Sequence, residues 1–109
     1  MIPVNIQIYS ITEMKEKFFK DIKAFFDDAY KTIERKNADY ANDNPFSNFE
    51  GISHISGIPT DFVFLQFIIV KVLRLAELAK KGEAKNESLD DSLKDLVNYS
   101  ALWKIFRDK

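Results

Sequence analysis

The chain has 109 residues, enough for one domain, and its 46% hydrophobic against 30% charged content marks a globular rather than a disordered protein. A formal net charge of −1 gives no global attraction to nucleic acid or to an anionic membrane, so duplex nucleic-acid binding is not expected and phosphate recognition has to be local. There is no cysteine, which excludes disulfides, thiolate chemistry and cysteine zinc sites and fits a cytoplasmic protein.

Residues 2–9 alternate loosely, with Ile2, Val4, Ile6 and Ile8 on one side, a weak strand signal. An isolated short strand is unstable by itself, so an extended arm packing on the rest of the chain is the favoured reading for residues 1–11. The stretch lacks a basic segment followed by a long apolar run, and no signal peptide is read there. The remaining domain, 12–109, starts with Thr12 as a plausible N-cap and acidic Glu13 after it. Phe18, Phe19, Ile22, Phe25, Phe26, Ala29, Tyr30 and Ile33 then recur at spacings of three and four, which predicts an amphipathic helix from about 12 to 37.

Residues 38–59 change character. Asn, Asp, Ser, Gly and Pro cluster there, and Asn44-Pro45 and Gly57-Ile58-Pro59 are helix breakers. A connection of about twenty residues is long for a small domain, and long connections are usually functional or disordered. Tyr40, Phe46 and Phe49 argue for an ordered, packed, functional loop. The lone His54 falls in it with no Ser/Asp pattern around it, so it is read as a loop or packing histidine.

Thr60 is placed as the cap of the next helix, which runs to Lys81 and stops at Gly82. Its first half, Phe62 to Val70, is apolar nearly all round and demands burial on several sides. Three helices bury only part of such a surface, which motivates a homo-oligomer, with a dimer the simplest form. The run is too short, and too charged at Lys71 and Arg74, for a membrane span. After a polar turn, Ser88 with Asp91 three residues on is a capping-box-like start to the last helix. Leu89, Leu93, Leu96, Val97, Ser100 and Trp103 line one of its faces. The expected fold is all-α: a small antiparallel helical bundle of three main helices, with a long ordered loop and a short extended N-terminal arm.

Four polar clusters could carry chemistry. Lys36-Asn37-Ala38-Asp39-Tyr40 sits where the first helix ends, and turn chemistry alone accounts for much of it. Phe46-Ser47-Asn48-Phe49 is a loop with two aromatic anchors. Lys71 and Arg74 interrupt an apolar helix, either snorkelling to solvent or facing a phosphate. On the last helix Glu87, Asp91, Asp95 and Asn98 share one narrow sector. Carboxylates at that spacing repel, yet an oxygen-rich row suits a hard cation such as Mg²⁺. An antiparallel hairpin sets Lys71 and Arg74 at the height of Asp91 and Asp95. The outcome is then interhelical salt bridges, which are common, or a phosphate beside a bound cation. No P-loop, dinucleotide glycine fingerprint or zinc motif is present.

In their order, Lys36-Asn-Ala-Asp-Tyr40, Pro45-Phe-Ser-Asn-Phe49, Lys71-x-x-Arg74 and Glu87-Ser-x-x-Asp91-x-Leu-x-Asp95-Leu-x-Asn98-Tyr99 resemble small phage and prophage proteins of the nucleotide-modification-associated domain group. The resemblance covers roughly residues 30–107, and the last block is its most specific part. It implies a link to phage nucleotide metabolism or DNA base modification, in the cytoplasm of a bacterial host. There is a looser similarity to all-α nucleoside-triphosphate pyrophosphohydrolases, which hold Mg²⁺ with helical carboxylates. The chain departs from their pattern of paired carboxylates, because its central helix offers Lys71, Arg74 and Glu77 instead.

Together these features give three readings. In a nucleotide-handling enzyme, Asp91, Asp95 and Glu87 hold Mg²⁺ and Asp91 and Asp95 serve catalysis, while Lys71 and Arg74 clamp phosphates. Tyr40, Phe46 or Phe49 stack on the base, and Lys36, Asn37, Asp39, Asn48 and Asn98 complete the substrate contacts. In a non-catalytic binder of a nucleotide or nucleotide-derived signal, the basic and aromatic residues keep these roles and the metal is dispensable. In a structural interaction module, the polar clusters are salt bridges and caps.

Overall fold

The computed structural model describes residues 10–38, 44–81 and 88–109, and among them α-helix is the only regular secondary structure. Four helices follow one another: α1 (Ile11–Ala38), α2 (Ser47–Ser56), α3 (Thr60–Lys81) and α4 (Leu89–Asp108). The arm expected over residues 2–9 and the turn before Ser88 lie outside the described residues. None of the described helices is long and apolar enough to cross a membrane.

The start of α1 is a reciprocal cap. The Glu13 N–H donates to Ser10 Oγ at 3.1 Å, and the Ser10 N–H donates to Glu13 Oε2 at 3.2 Å. These bonds satisfy two of the donors that a helix N-terminus leaves free. Ser10 rather than Thr12 is therefore the cap, and Thr12 lies inside the first turn. Ser88 caps α4 as expected, its hydroxyl accepting from the Asp91 N–H at 3.1 Å. For α3 the N–H groups of Phe62 and Val63 both reach the carbonyl of Pro59, at 2.9 and 3.3 Å. Thr60 thus belongs to the first turn, one residue beyond its expected place as cap.

The main departure from expectation is α2, a ten-residue helix inside the stretch read as a loop. Both breakers found in the sequence stand outside this helix, one before it and one after. Asn44 prepares the entry: its Oδ1 accepts the Phe46 N–H at 2.9 Å and its carbonyl the Ser47 N–H at 3.1 Å. Gly57 ends the helix in the left-handed conformation, φ 76°, with its N–H on the Ser53 carbonyl at 2.9 Å. His54 consequently sits on an exposed helical face rather than in a loop.

α3 and α4 form the antiparallel hairpin at the centre. Asp61 at the start of α3 meets Trp103 and Arg107 near the end of α4, and Lys71 meets Asp95. α2 lies across this pair. Phe49 stacks on Phe64 with centroids 4.2 Å apart and meets Phe67 and Tyr99 edge-on, while Phe46 packs edge-on against Phe106. The core is therefore Phe46, Phe49, Val63 and Phe64, surrounded by Phe67, Tyr99, Leu102, Trp103 and Phe106. Trp103 enters this apolar cluster with its indole N–H donating to Asp61 Oδ1 at 2.6 Å. Every member comes from α2 with the Phe46 that precedes it, from α3 or from α4.

α1 docks only on α4, through its C-terminal half. Ala29 is buried there, and buried Asn98 donates from Nδ2 to the Ala29 carbonyl at 3.0 Å. Every residue from Ser10 to Ala24 is exposed, and the molecule measures 64 × 31 × 23 Å. The apolar first half of α3 is also less enclosed than its composition suggested. Val63 and Phe64 are fully buried, but Phe62, Ile69 and Val70 remain about half exposed.

Candidate functional site

Where the last turns of α1 cross α4, two cavities open side by side. The first, about 430 Å³, is lined by Thr32, Arg35 and Lys36 from α1, Arg74 from α3, and Asp91, Lys94 and Asp95 from α4. Four basic side chains against two carboxylates give it a basic character. The second, about 370 Å³, lies between α1 and the aromatic core. Its walls include Tyr30, Phe49, Phe67, Tyr99 and Leu102, and Asn37, Asn48 and Asn98 stand among them. Both volumes fall within the range of about 300–1,000 Å³ found for small-molecule clefts. Lys36 and Asp95 line both cavities and so form the partition between them.

Asp95 is held there by charge. Its Oδ2 lies 2.8 Å from Lys71 Nζ and its Oδ1 3.4 Å from Lys36 Nζ. Burial pushes the carboxyl up, but the Lys71 hydrogen bond and the positive charges of Lys36 and Lys71 outweigh it, so Asp95 titrates below its ordinary value of 3.8. The preceding residue, Lys94, bridges to Asp28 Oδ2 at 3.1 Å and to Asp91 Oδ1 at 3.6 Å. The Asp28 hydrogen bond, with the nearby charges of Asp28 and Asp91, raises the Lys94 pKa against the effect of burial. The Lys36–Asp95 and Lys94–Asp28 bridges tie α1 to α4, as the Asn98 bond does.

The structure brings most of the sequence-derived residues to this place. Lys36, Asn37, Asn48, Phe49, Asp95 and Asn98 line the aromatic cavity, and Lys36, Arg74, Asp91 and Asp95 line the basic one. Lys71 is joined to it through Asp95. Phe46 is elsewhere: it is buried against Phe106, with Lys109 Nζ 5.1 Å from its ring centre, and lines neither cavity. Asp39, Tyr40 and Glu87 lie outside the described residues. Asn98, placed in the acidic row by helical spacing, is turned toward α1 by its bond to Ala29.

The sequence reading missed Arg35, Lys94, Tyr30, Phe67, Tyr99 and Leu102. Arg35 stands next to Lys36 in the last turn of α1, and Lys94 interrupts the acidic row between Asp91 and Asp95, so both were visible as charges. Tyr30 and Phe67 read as core residues; Phe67, with Tyr99 and Leu102, does pack against the core, whereas Tyr30 is 61% exposed, and the cavity is cut into that core's edge.

The carboxylates at the basic cavity that could face Mg²⁺ are Asp91 and Asp95. Asp91 and Asp95 are one turn apart at the basic cavity, as a shared cation would need. However, both Asp95 oxygens face ammonium groups, and no group of three or more His, Cys, Asp or Glu suited to a metal occurs among the described residues. An ammonium ion at 2.8 Å competes directly for the lone pairs a metal would use.

Compared with known proteins, the chain matches no family model, no curated protein and no solved structure.

Proposed function

We propose that the protein binds a nucleotide or a nucleotide-derived phosphorylated small molecule across the two cavities. The base sits against Phe49, Phe67 and Tyr99, and the phosphates lie toward Arg35, Lys36 and Arg74. The observation that carries this reading is the shared partition. A basic cleft and an aromatic pocket with amide side chains meet at Lys36 and Asp95, which suits a ligand with one flat apolar end and one anionic end. Asn37, Asn48 and Asn98 supply both donors and acceptors for base edges or sugar hydroxyls. The motif resemblance to nucleotide-modification-associated proteins points the same way.

Binding without chemistry is favoured because Asp95 is already neutralised by two lysines. A Mg²⁺-dependent hydrolysis of a phosphoanhydride at Asp91 and Asp95, with Glu87 as third ligand, is the second reading. The adjacency of Asp91 and Asp95 at the basic cleft supports it. The test is to incubate the protein in molar excess with a mixed nucleotide pool and Mg²⁺, then identify free and bound species by chromatography. A nucleotide recovered intact from the protein, and lost with Arg74→Glu or Asn37→Ala, is the expected result. New products that disappear with a chelator would establish the second reading instead. A pool left unchanged would overturn both and leave a structural interaction module.

A further inference from the structure

The exposed half of α1 carries large apolar side chains along one side. Ile11, Met14, Phe18, Phe19, Ile22 and Phe26 are between 38% and 75% exposed, and at helical spacing they form one broad stripe with Lys15 set within it. Downstream the same stripe continues into Ala29, where α4 covers it. Three half-exposed phenylalanines with three aliphatic neighbours present on the order of 500 Å² of apolar surface, more than a monomer ordinarily leaves open in one patch.

The geometry points to a second copy of this chain as the occupant, its α1 lying antiparallel along this one about a two-fold axis near Phe19. In a two-fold antiparallel helix pair each flank of the stripe faces the same flank of the other copy. One flank carries Lys17 and Asp21, the other Glu16 and Lys23. A register with its two-fold axis between Phe19 and Lys20 sets, to within one residue, Lys17 opposite Asp21 of the second copy and Glu16 opposite Lys23 of the second copy. The same register sets Phe18 opposite Ile22 and Met14 opposite Phe26, apolar on apolar. Charges and apolar residues therefore agree on one alignment, and each favourable contact occurs twice by symmetry. Pairing two such stripes buries ~1,000 Å², the lower bound for a specific interface. An anionic bilayer is the poorer occupant, because the flanks mix Glu16, Asp21 and Asp27 with Lys17, Lys20 and Lys23, whereas membrane-surface helices carry a basic excess.

Sedimentation velocity of the full chain over about 1 to 100 µM tests this. The expected result is a dimer that Phe18→Glu converts to monomer, with helix content unchanged because Phe18 is already 56% exposed. Glu16→Lys sets like charges across the axis and weakens association by about five-fold, and Glu16→Lys combined with Lys23→Glu restores it. A monomer throughout the range would overturn the inference. So would a dimer indifferent to Phe18→Glu, or a double charge exchange that fails to restore association.

Discussion

Replacing Asp95 with Asn probes the joint between the fold and the site. The pair with Lys71 is 2.8 Å long, and the two side chains are 15% and 17% exposed, so water screens it far less than the surface pairs along α1. Fully exposed pairs contribute at most about 1 kcal/mol, while breaking a fully buried pair costs about 3–5 kcal/mol. At this exposure, with the amide oxygen still able to accept from Lys71, a loss of about 2 kcal/mol is expected. The second contact, to Lys36, adds little because that lysine is 54% exposed and the distance is 3.4 Å. The sign of the pH dependence follows from the direction of the shift. The folded carboxyl titrates below 3.8, so its stabilisation is complete above that value and is lost as pH falls through the lower folded pKa. Urea unfolding of both proteins at pH 7 and at intervals down through this window measures the difference. The expected gap is widest at neutral pH and closes in acid. Equal stability at pH 7, or a gap independent of pH, would refute the assignment. The same variant separates the two functional readings, since removing one negative charge from a basic cleft tightens phosphate binding with a steeper salt dependence, whereas loss of a metal ligand abolishes turnover.

Two further substitutions test other elements. Gly57→Ala places a Cβ at φ 76°, where nothing lies within 4 Å of it, so only backbone strain acts; a loss of about 1 kcal/mol by denaturant titration is expected, and no change would mean that the α2 terminus is not held there. Ser92→Ala removes a fully buried hydroxyl that has no hydrogen-bond partner among the described residues; it should raise stability by about 1 kcal/mol in the same assay, and a loss would show that the hydroxyl has a partner.

The all-helical class was legible because the phenylalanines of α1 and the leucines of α4 keep a helical period over many turns. The height of Lys71 and Arg74 against Asp91 and Asp95 was legible from the antiparallel geometry of α3 and α4, and the Lys71–Asp95 pair realises the salt-bridge outcome of the two left open. α2 was not, because Ser47-Asn48 and Gly51 favour turns locally, and what makes that segment helical is the seating of Phe49 on Phe64, a contact between residues fifteen apart. The site was half legible for a related reason. Residue types at α1's end and on α4 announced polar chemistry, but which face of α1 meets α4 is decided by the Asn98–Ala29 bond across 69 residues of sequence. Tyr30, Tyr99 and Leu102 become cavity walls only through that crossing.

The aromatic core draws on α3, α4 and α2 with its preceding Phe46, and on nothing from α1, while α1 is held by Asn98, Lys94 and Asp95 at one crossing. Opening that crossing exposes little of the core, so α1 is the unit whose amides exchange with solvent at the lowest free energy, ahead of global unfolding. Both cavities have α1 as a wall, and they cease to exist when it lifts. A ligand seated there therefore binds only the docked form, and its binding energy appears as slowed exchange in α1 rather than as a change in α2, α3 or α4.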